Sequence, residues 1–174
     1  KVILITGGQR SGKSTYAENL ALSISNNPVY IATAHIWDED FSQRVEKHQQ
    51  KRGSEWTNIE EEYNLNTVKI EGRCAVIDCV TLWLTNLIQP HLSNKDGILD
   101  MQSLKERAKQ QIDEFTAQDA TFIFVTNEIG CGGTSSNATQ RKFTDLQGWM
   151  NQYIAKKADE VIMLVSGIPI QIKG

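Results

Sequence analysis

The chain has 174 residues, a net charge of −3 and 40% hydrophobic residues, which suits one globular domain with a sizeable core. No basic run or stripe marks a nucleic-acid surface, and no apolar stretch approaches the roughly 20 residues that cross a bilayer. Cys74, Cys79 and Cys131 lack a C-x-x-C spacing and predict buried, reduced thiols; with no leader-like segment in view, the expected compartment is the cytoplasm.

The apolar run from Val2 to Thr6 reads as a buried strand, and Thr15 to Ile24 reads as a helix. Between them lies Gly7-Gly8-Gln9-Arg10-Ser11-Gly12-Lys13-Ser14, which fits the G-x-x-x-x-G-K-[ST] phosphate-binding loop in its required strand–turn–helix setting. Gly7 and Gly12 permit backbone geometry and close approach that a side chain would block. Successive N–H groups and the helix N-terminus then surround phosphates with partial positive charge. Lys13 is placed to reach the β- and γ-phosphates, and the Ser14 hydroxyl to bind Mg²⁺.

A second strand is predicted at Val29 to Thr33, followed by a helix from about Glu39 to Arg52 that Gly53 stops. On that helix Phe41, Arg44, Val45, His48 and Arg52 fall within about one third of the circumference. Two guanidinium groups flanking an imidazole on the apolar side suit an anionic ligand, and neutral imidazole is a competent nucleophile toward phosphorus. A histidine satisfied within the core fits the same spacing, so the spacing leaves both roles open. His35 follows the second strand, at the carboxyl edge where open α/β sheets bind ligands.

Cys74 to Asp78 is an apolar strand ending in a carboxylate, a natural partner for Mg²⁺ through a coordinated water. The competing role for Asp78 is N-cap of a helix beginning at Val80. The polar stretch from Gln89 to Asp100, with Pro90 and Gly97, predicts a surface loop. Leu104, Ala108, Ile112 and Phe115 mark an amphipathic helix, and Thr121 to Thr126 a strand running into Asn127-Glu128. The glycine-rich Gly130 to Asn137 reads as a lid or as a long turn. Phe143, Leu146, Met150 and Tyr153 mark a further helix. Val161 to Val165 and Ile168 to Ile172 flank Ser166-Gly167, which predicts a hairpin whose last strand runs antiparallel at the sheet edge. The alternation of strands and helices predicts a single α/β domain, with a mostly parallel sheet covered by helices on both faces.

Several motifs recur in one order along the whole chain. They are the G-G-Q-R-S-G-K-S loop, I-A-T-A at 31–34, R-V-x-x-H from Arg44 to His48, Arg52, and W-T-x-x-E from Trp56 to Glu60. I-D-C-V-T-L-W at 77–83, T-N-E-I-G at 126–130, Asp145 to Gly148, Asn151-Gln152, A-D-E-V at 158–161 and S-G-I-P at 166–169 follow. Together they resemble the bifunctional adenosylcobinamide kinase/adenosylcobinamide-phosphate guanylyltransferase family. The resemblance implies a P-loop NTPase with a RecA-like sheet, a homo-oligomer that is commonly a trimer, and Mg²⁺ with ATP or GTP. It implies phosphorylation of adenosylcobinamide, then GMP transfer from GTP to adenosylcobinamide phosphate through a guanylylated histidine.

By position, the resemblance makes His48 the nucleophile and Lys13 the cation that stabilises the departing phosphates. It places Thr33, Ala34, His35, Lys51, Arg52 and Glu60 against the nucleotide, and Arg44 beside the phosphates. Gly133-Thr134-Ser135-Ser136-Asn137 departs from the family pattern, which has an apolar pair and a proline before the asparagine. A P-loop kinase acting on another small alcohol, with no covalent intermediate, is the alternative reading. A GTP-dependent switch would need N-K-x-D after a late strand, where this chain has Asn127-Glu128.

Overall fold

The computed structural model describes residues 1–35, 39, 52–92 and 100–174. Of the predicted helix from Glu39 to Arg52, all but the two end residues lies outside the described residues, and Arg44, His48 and Lys51 go with it. The strands are β1 (Val2–Gly7), β2 (Val29–Ala32), β3 (Thr57–Glu60), β4 (Cys74–Asp78), β5 (Thr121–Val125), β6 (Glu160–Val165) and β7 (Ile168–Lys173). The described helices are α1 (Lys13–Ile24), α2 (Val80–Leu92), α3 (Met101–Thr116) and α4 (Ala138–Lys157).

One sheet contains all seven strands in the order β3-β2-β4-β5-β1-β6-β7. Every neighbouring pair is parallel except β6 with β7, which is antiparallel as the Ser166-Gly167 signal predicts. Ser166 and Gly167 both take positive φ, the left-handed geometry that a tight hairpin turn needs. The parallel strands are nearly continuous apolar runs because both of their faces are covered. Leu4, Ile77, Phe122 and Phe124 pack with Trp83 and Leu84 of α2, Ile112 and Phe115 of α3, and Met150 and Ile154 of α4. Their alternates Ile3, Ile5, Val76, Ile123 and Leu164 face the other way, onto Ala17 and Ala21 of α1. Helices on both faces are therefore present, with three on one side and α1 on the other.

Three local readings need correction. The loop expected from Gln89 is helical as far as Leu92, because buried Leu87 and Ile88 carry α2 onward. Pro90 lies in the final turn, where it forfeits only one backbone bond. Cys74 and Cys79 are buried free thiols, but Cys131 is exposed, in a short 3-10 turn whose three residues all face solvent. β3 had no sequence signal: it is a four-residue edge strand whose only inward position is the half-buried Ile59.

The stretch from Gly130 to Asn137 forms that 3-10 turn and then a braced connection into α4. Arg141 donates to the carbonyls of Ser135 and Ser136 at 2.9 and 2.8 Å, and the Asn137 side chain caps α4 by accepting from Gln140 N–H at 3.0 Å.

Candidate active site

The phosphate loop is built by the backbone. Gly7 ends β1 at φ 147, Arg10 is left-handed at φ 58, and Gly12 is left-handed at φ 93 immediately before α1. A Cβ at Gly7 would lie 2.5 Å from the carbonyl oxygen of Leu164 in β6, so this glycine is required by close strand packing. Gly8 meets nothing within 4 Å of a built Cβ. Gly7→Ala is accordingly expected to destabilise the fold by about 2 kcal/mol and weaken nucleotide binding, with Gly8→Ala close to wild type in stability. Thermal unfolding of the two variants, with and without nucleotide, checks this.

The hairpin turn supports the loop from the far side. Gly167 N–H donates to Ser11 C=O at 3.0 Å, and a Cβ on Gly12 would stand 3.5 Å from Gly167 Cα. Lys13 is only 7% exposed, and its ammonium reaches back across the loop to Gly8 C=O at 2.6 Å. Burial pulls its pKa below the ordinary lysine value, while the negative charge of the Asp78 carboxylate opposes the shift. Ser14 follows on the first turn of α1.

Parallel register brings the other strand ends to the same edge. Asp78 pairs with Ala32, Ala32 with Glu60, and Asp78 with Val125, which itself pairs with Ile5 just before the loop. Thr33, Ala34, His35, Glu60, Asp78 and the phosphate loop thus share one carboxyl rim. Their side chains have different tasks. Thr33 is fully buried: its hydroxyl donates to Cys79 C=O at 2.8 Å, and its own carbonyl accepts from Asn86 at 2.7 Å. His35 Nδ1 lies 2.8 Å from a carboxylate oxygen of Glu62.

Asp78 does not cap α2. The N–H groups of Thr81 and Leu82 face the Cys79 sulfur instead, and burial pushes the Cys79 thiol up to about 12. That thiol is a neutral packing group at neutral pH. Asp78 Oδ2 accepts a 2.6 Å hydrogen bond from the hydroxyl of Tyr30 on β2.

Arg52 lies on the same face as Tyr30, its guanidinium carbon 3.6 Å from the Tyr30 ring centroid. Its side chain is 3% exposed; Nε donates to Asn58 of β3 at 2.8 Å and Nη1 meets Glu18 of α1 at 3.3 Å. Sequence reasoning missed Tyr30 and Glu18. The available signal was a hydroxyl-tipped residue inside an otherwise apolar buried strand.

A second polar set fixes the end of β5. Thr126, Gln147 and Asn151 bond to one another at 2.7 to 2.9 Å. Asn151 also donates to Asn127 C=O at 3.2 Å, and Asn127 N–H donates to the Thr81 hydroxyl at 3.0 Å. Glu128 N–H bonds to Gly7 C=O at 3.0 Å, so this segment runs directly beside the phosphate loop.

Comparison with known proteins agrees with this architecture. The sequence profile describing cobinamide kinase / cobinamide phosphate guanyltransferase matches residues 3–172. The bifunctional adenosylcobalamin biosynthesis protein CobP of Pseudomonas aeruginosa is 37% identical, over 98% of this chain and 96% of its own length. CobU of Escherichia coli, with the same descriptive name, is 35% identical over 99% of both chains. Among solved structures, a prototypical ATPase from the type III secretion system of pathogenic bacteria superposes with a TM-score of 0.61. That match has 13% identity and covers 95% of this chain but 52% of the ATPase chain, and it bears on the fold alone. The sheet is therefore that of a P-loop NTPase, and the chain belongs to the cobinamide kinase / cobinamide phosphate guanyltransferase family of bifunctional enzymes.

Proposed function

We propose that this single domain phosphorylates adenosylcobinamide with ATP or GTP and then transfers GMP from GTP to adenosylcobinamide phosphate through a guanylyl-histidine at His48, giving adenosylcobinamide-GDP. The observation that carries the reading is the phosphate loop with buried Lys13 at its centre, facing the carboxylate rim of β4, in a chain of this family.

In the first reaction the substrate hydroxyl oxygen attacks the γ-phosphorus. The bond from that phosphorus to the bridging oxygen breaks, and the nucleoside diphosphate departs. The loop amides and Lys13 hold the charge that moves onto it. In the second, an imidazole nitrogen of His48 attacks the α-phosphorus of GTP and pyrophosphate leaves. A phosphate oxygen of adenosylcobinamide phosphate then attacks the same phosphorus, the P–N bond breaks, and His48 is released. Two displacements replace one difficult transfer. Arg44, Lys51 and Arg52 supply positive charge from the same stretch of chain, and Thr33, Ala34, His35 and Glu60 form the nucleotide rim.

Bound Mg²⁺ neutralises phosphate oxygens. The residues present suit it: Ser14 and Asp78 are oxygen donors, and one oxygen of Asp78 makes no hydrogen bond to a described residue. Among the described residues no cluster of three acidic, histidine or cysteine side chains forms a cage. That fits an ion held mainly by substrate phosphates and water. The reading also carries a homotrimer in the cytoplasm. Exposed Val165, Ile168 and Ile170 support self-association, and no described helix is long and apolar enough to cross a membrane.

Incubation with GTP labelled at the α-phosphorus tests the covalent step. Label that is acid-labile, base-stable and mapped to His48 is expected. An unlabelled protein with intact kinase activity would reduce the function to a P-loop kinase.

A further inference from the structure

Tyr30 touches two parts of this site that the sequence keeps far apart. In the β2–β4 register it pairs with Val76, two residues before Asp78, so Tyr30 and Asp78 lie diagonally on one face, within reach of a long aromatic side chain. The hydroxyl spans that diagonal and meets Asp78 Oδ2 at 2.6 Å, while Asp78 Oδ1 has no hydrogen bond among the described residues. The ring is 95% buried by its neighbours; Trp56 meets it edge-on at 6.0 Å and the Arg52 guanidinium covers its face at 3.6 Å. Arg52 is in turn fixed to α1 through Glu18 and to β3 through Asn58.

We propose that Tyr30 is a positioning residue serving both reactions with different parts of one side chain. Its hydroxyl fixes the rotamer of Asp78 so that Oδ1 is presented to the metal–nucleotide complex. Its ring face fixes Arg52, whose guanidinium the proposed function sets toward the nucleotide phosphates. The inference rests on the roles proposed above for Asp78 and Arg52. Among the described side chains Tyr30 alone hydrogen-bonds Asp78, so loss of the hydroxyl removes that restraint on the carboxylate.

The test separates the hydroxyl from the ring. Mn²⁺ binding is titrated by electron paramagnetic resonance in the presence of a non-hydrolysable GTP analogue, for the wild type, Asp78→Asn, Tyr30→Phe and Tyr30→Leu. Tyr30→Phe is expected to weaken Mn²⁺ binding about 10-fold, as loss of a carboxylate's outer partner does. The Mg²⁺ concentration for half-maximal kinase rate should rise by a similar factor, with kcat falling no more than about threefold. Tyr30→Leu should add a loss of about 10²-fold in the rate of protein guanylylation, the cost of a displaced Arg52 guanidinium.

If Asp78→Asn weakens Mn²⁺ binding and Tyr30→Phe does not, the hydroxyl role is overturned. If Tyr30→Leu guanylylates as fast as Tyr30→Phe, the ring role is overturned. Unchanged Mn²⁺ affinity in Asp78→Asn removes the metal reading of Asp78 itself, a separate failure. Should Tyr30→Leu not fold, Arg52→Gln reads the same half of the proposal, and guanylylation at the wild-type rate overturns it.

Discussion

Guanylyl transfer by the His48→Ala protein is expected to fall by at least about 10⁴-fold, with phosphorylation of adenosylcobinamide kept within a few-fold of wild type. The proposed covalent step depends on the His48 imidazole, and neither Cys79 nor Lys13 is suited to replace it. Cys79 lies next to Asp78, but burial keeps its thiol protonated and its sulfur faces the first amides of α2. Lys13 is held at the phosphate loop by its hydrogen bond to Gly8 C=O. The kinase step uses the substrate's own hydroxyl and needs no protein nucleophile. Chromatographic assay of the two products, with ATP as donor in the first step and GTP in the second, separates the activities. Equal loss of both would assign the imidazole a structural role.

Lys13→Ala is expected to lower both activities together, each by roughly 10² to 10³-fold, the usual cost of removing one preorganised group from a developing charge. In the proposed scheme both reactions release an anionic leaving group onto this loop, so this variant is not expected to distinguish them. It should do so with little loss of stability. The ammonium is buried at a desolvation cost, and among the described residues its one hydrogen bond goes to a backbone carbonyl. Thermal unfolding without nucleotide should therefore stay near wild type, while stabilisation by added nucleotide shrinks. A collapse of stability instead would mean that Lys13 is a structural element of the loop. Retention of kinase activity would remove the loop from catalysis altogether.

The parts of the fold that were legible from sequence are those specified locally. The phosphate loop needs particular residues at fixed offsets, and Gly7 and Gly12 occupy the strained positions that such a loop requires. The buried parallel strands announce themselves as apolar runs, and the Ser166-Gly167 turn fixes the direction of β7. The misses share a different cause. β3 is exposed and almost without apolar positions, and it becomes a strand only because β2 offers it an edge. The last turn of α2 persists through Pro90 because tertiary burial of Leu87 and Ile88 outweighs the loss of one hydrogen bond.

The site divides in the same way. The position of Asp78 at a strand end could be read directly, but its contact with Tyr30 crosses 48 residues and depends on which strands become neighbours. The period predicts Arg52 on the inward side of a helix; the structure places it in a bend, with its side chain buried. That Glu18 and Asn58 would take two of its guanidinium nitrogens could not be read, since neither partner is near in sequence or marked by spacing. The Thr126–Gln147–Asn151 set was visible only as polar letters inside motifs. Its role in fixing the backbone at Asn127 follows from the packing of α4 against the end of β5.

The central place of β1 bears on how this chain is made. Both of its neighbours, β5 and β6, come more than 110 residues later in synthesis order, as in the Val2–Phe122 pairing. The turn that supports the phosphate loop comes later still, since Gly167 is 156 positions beyond Ser11 (167 − 11). Val2 to Ile5 must therefore wait as an unpaired apolar strand while the rest of the sheet is translated, and such long-range pairing is slow and prone to association. Among the elements of the site, the nucleotide cradle is the first to leave the ribosome and the last to be completed.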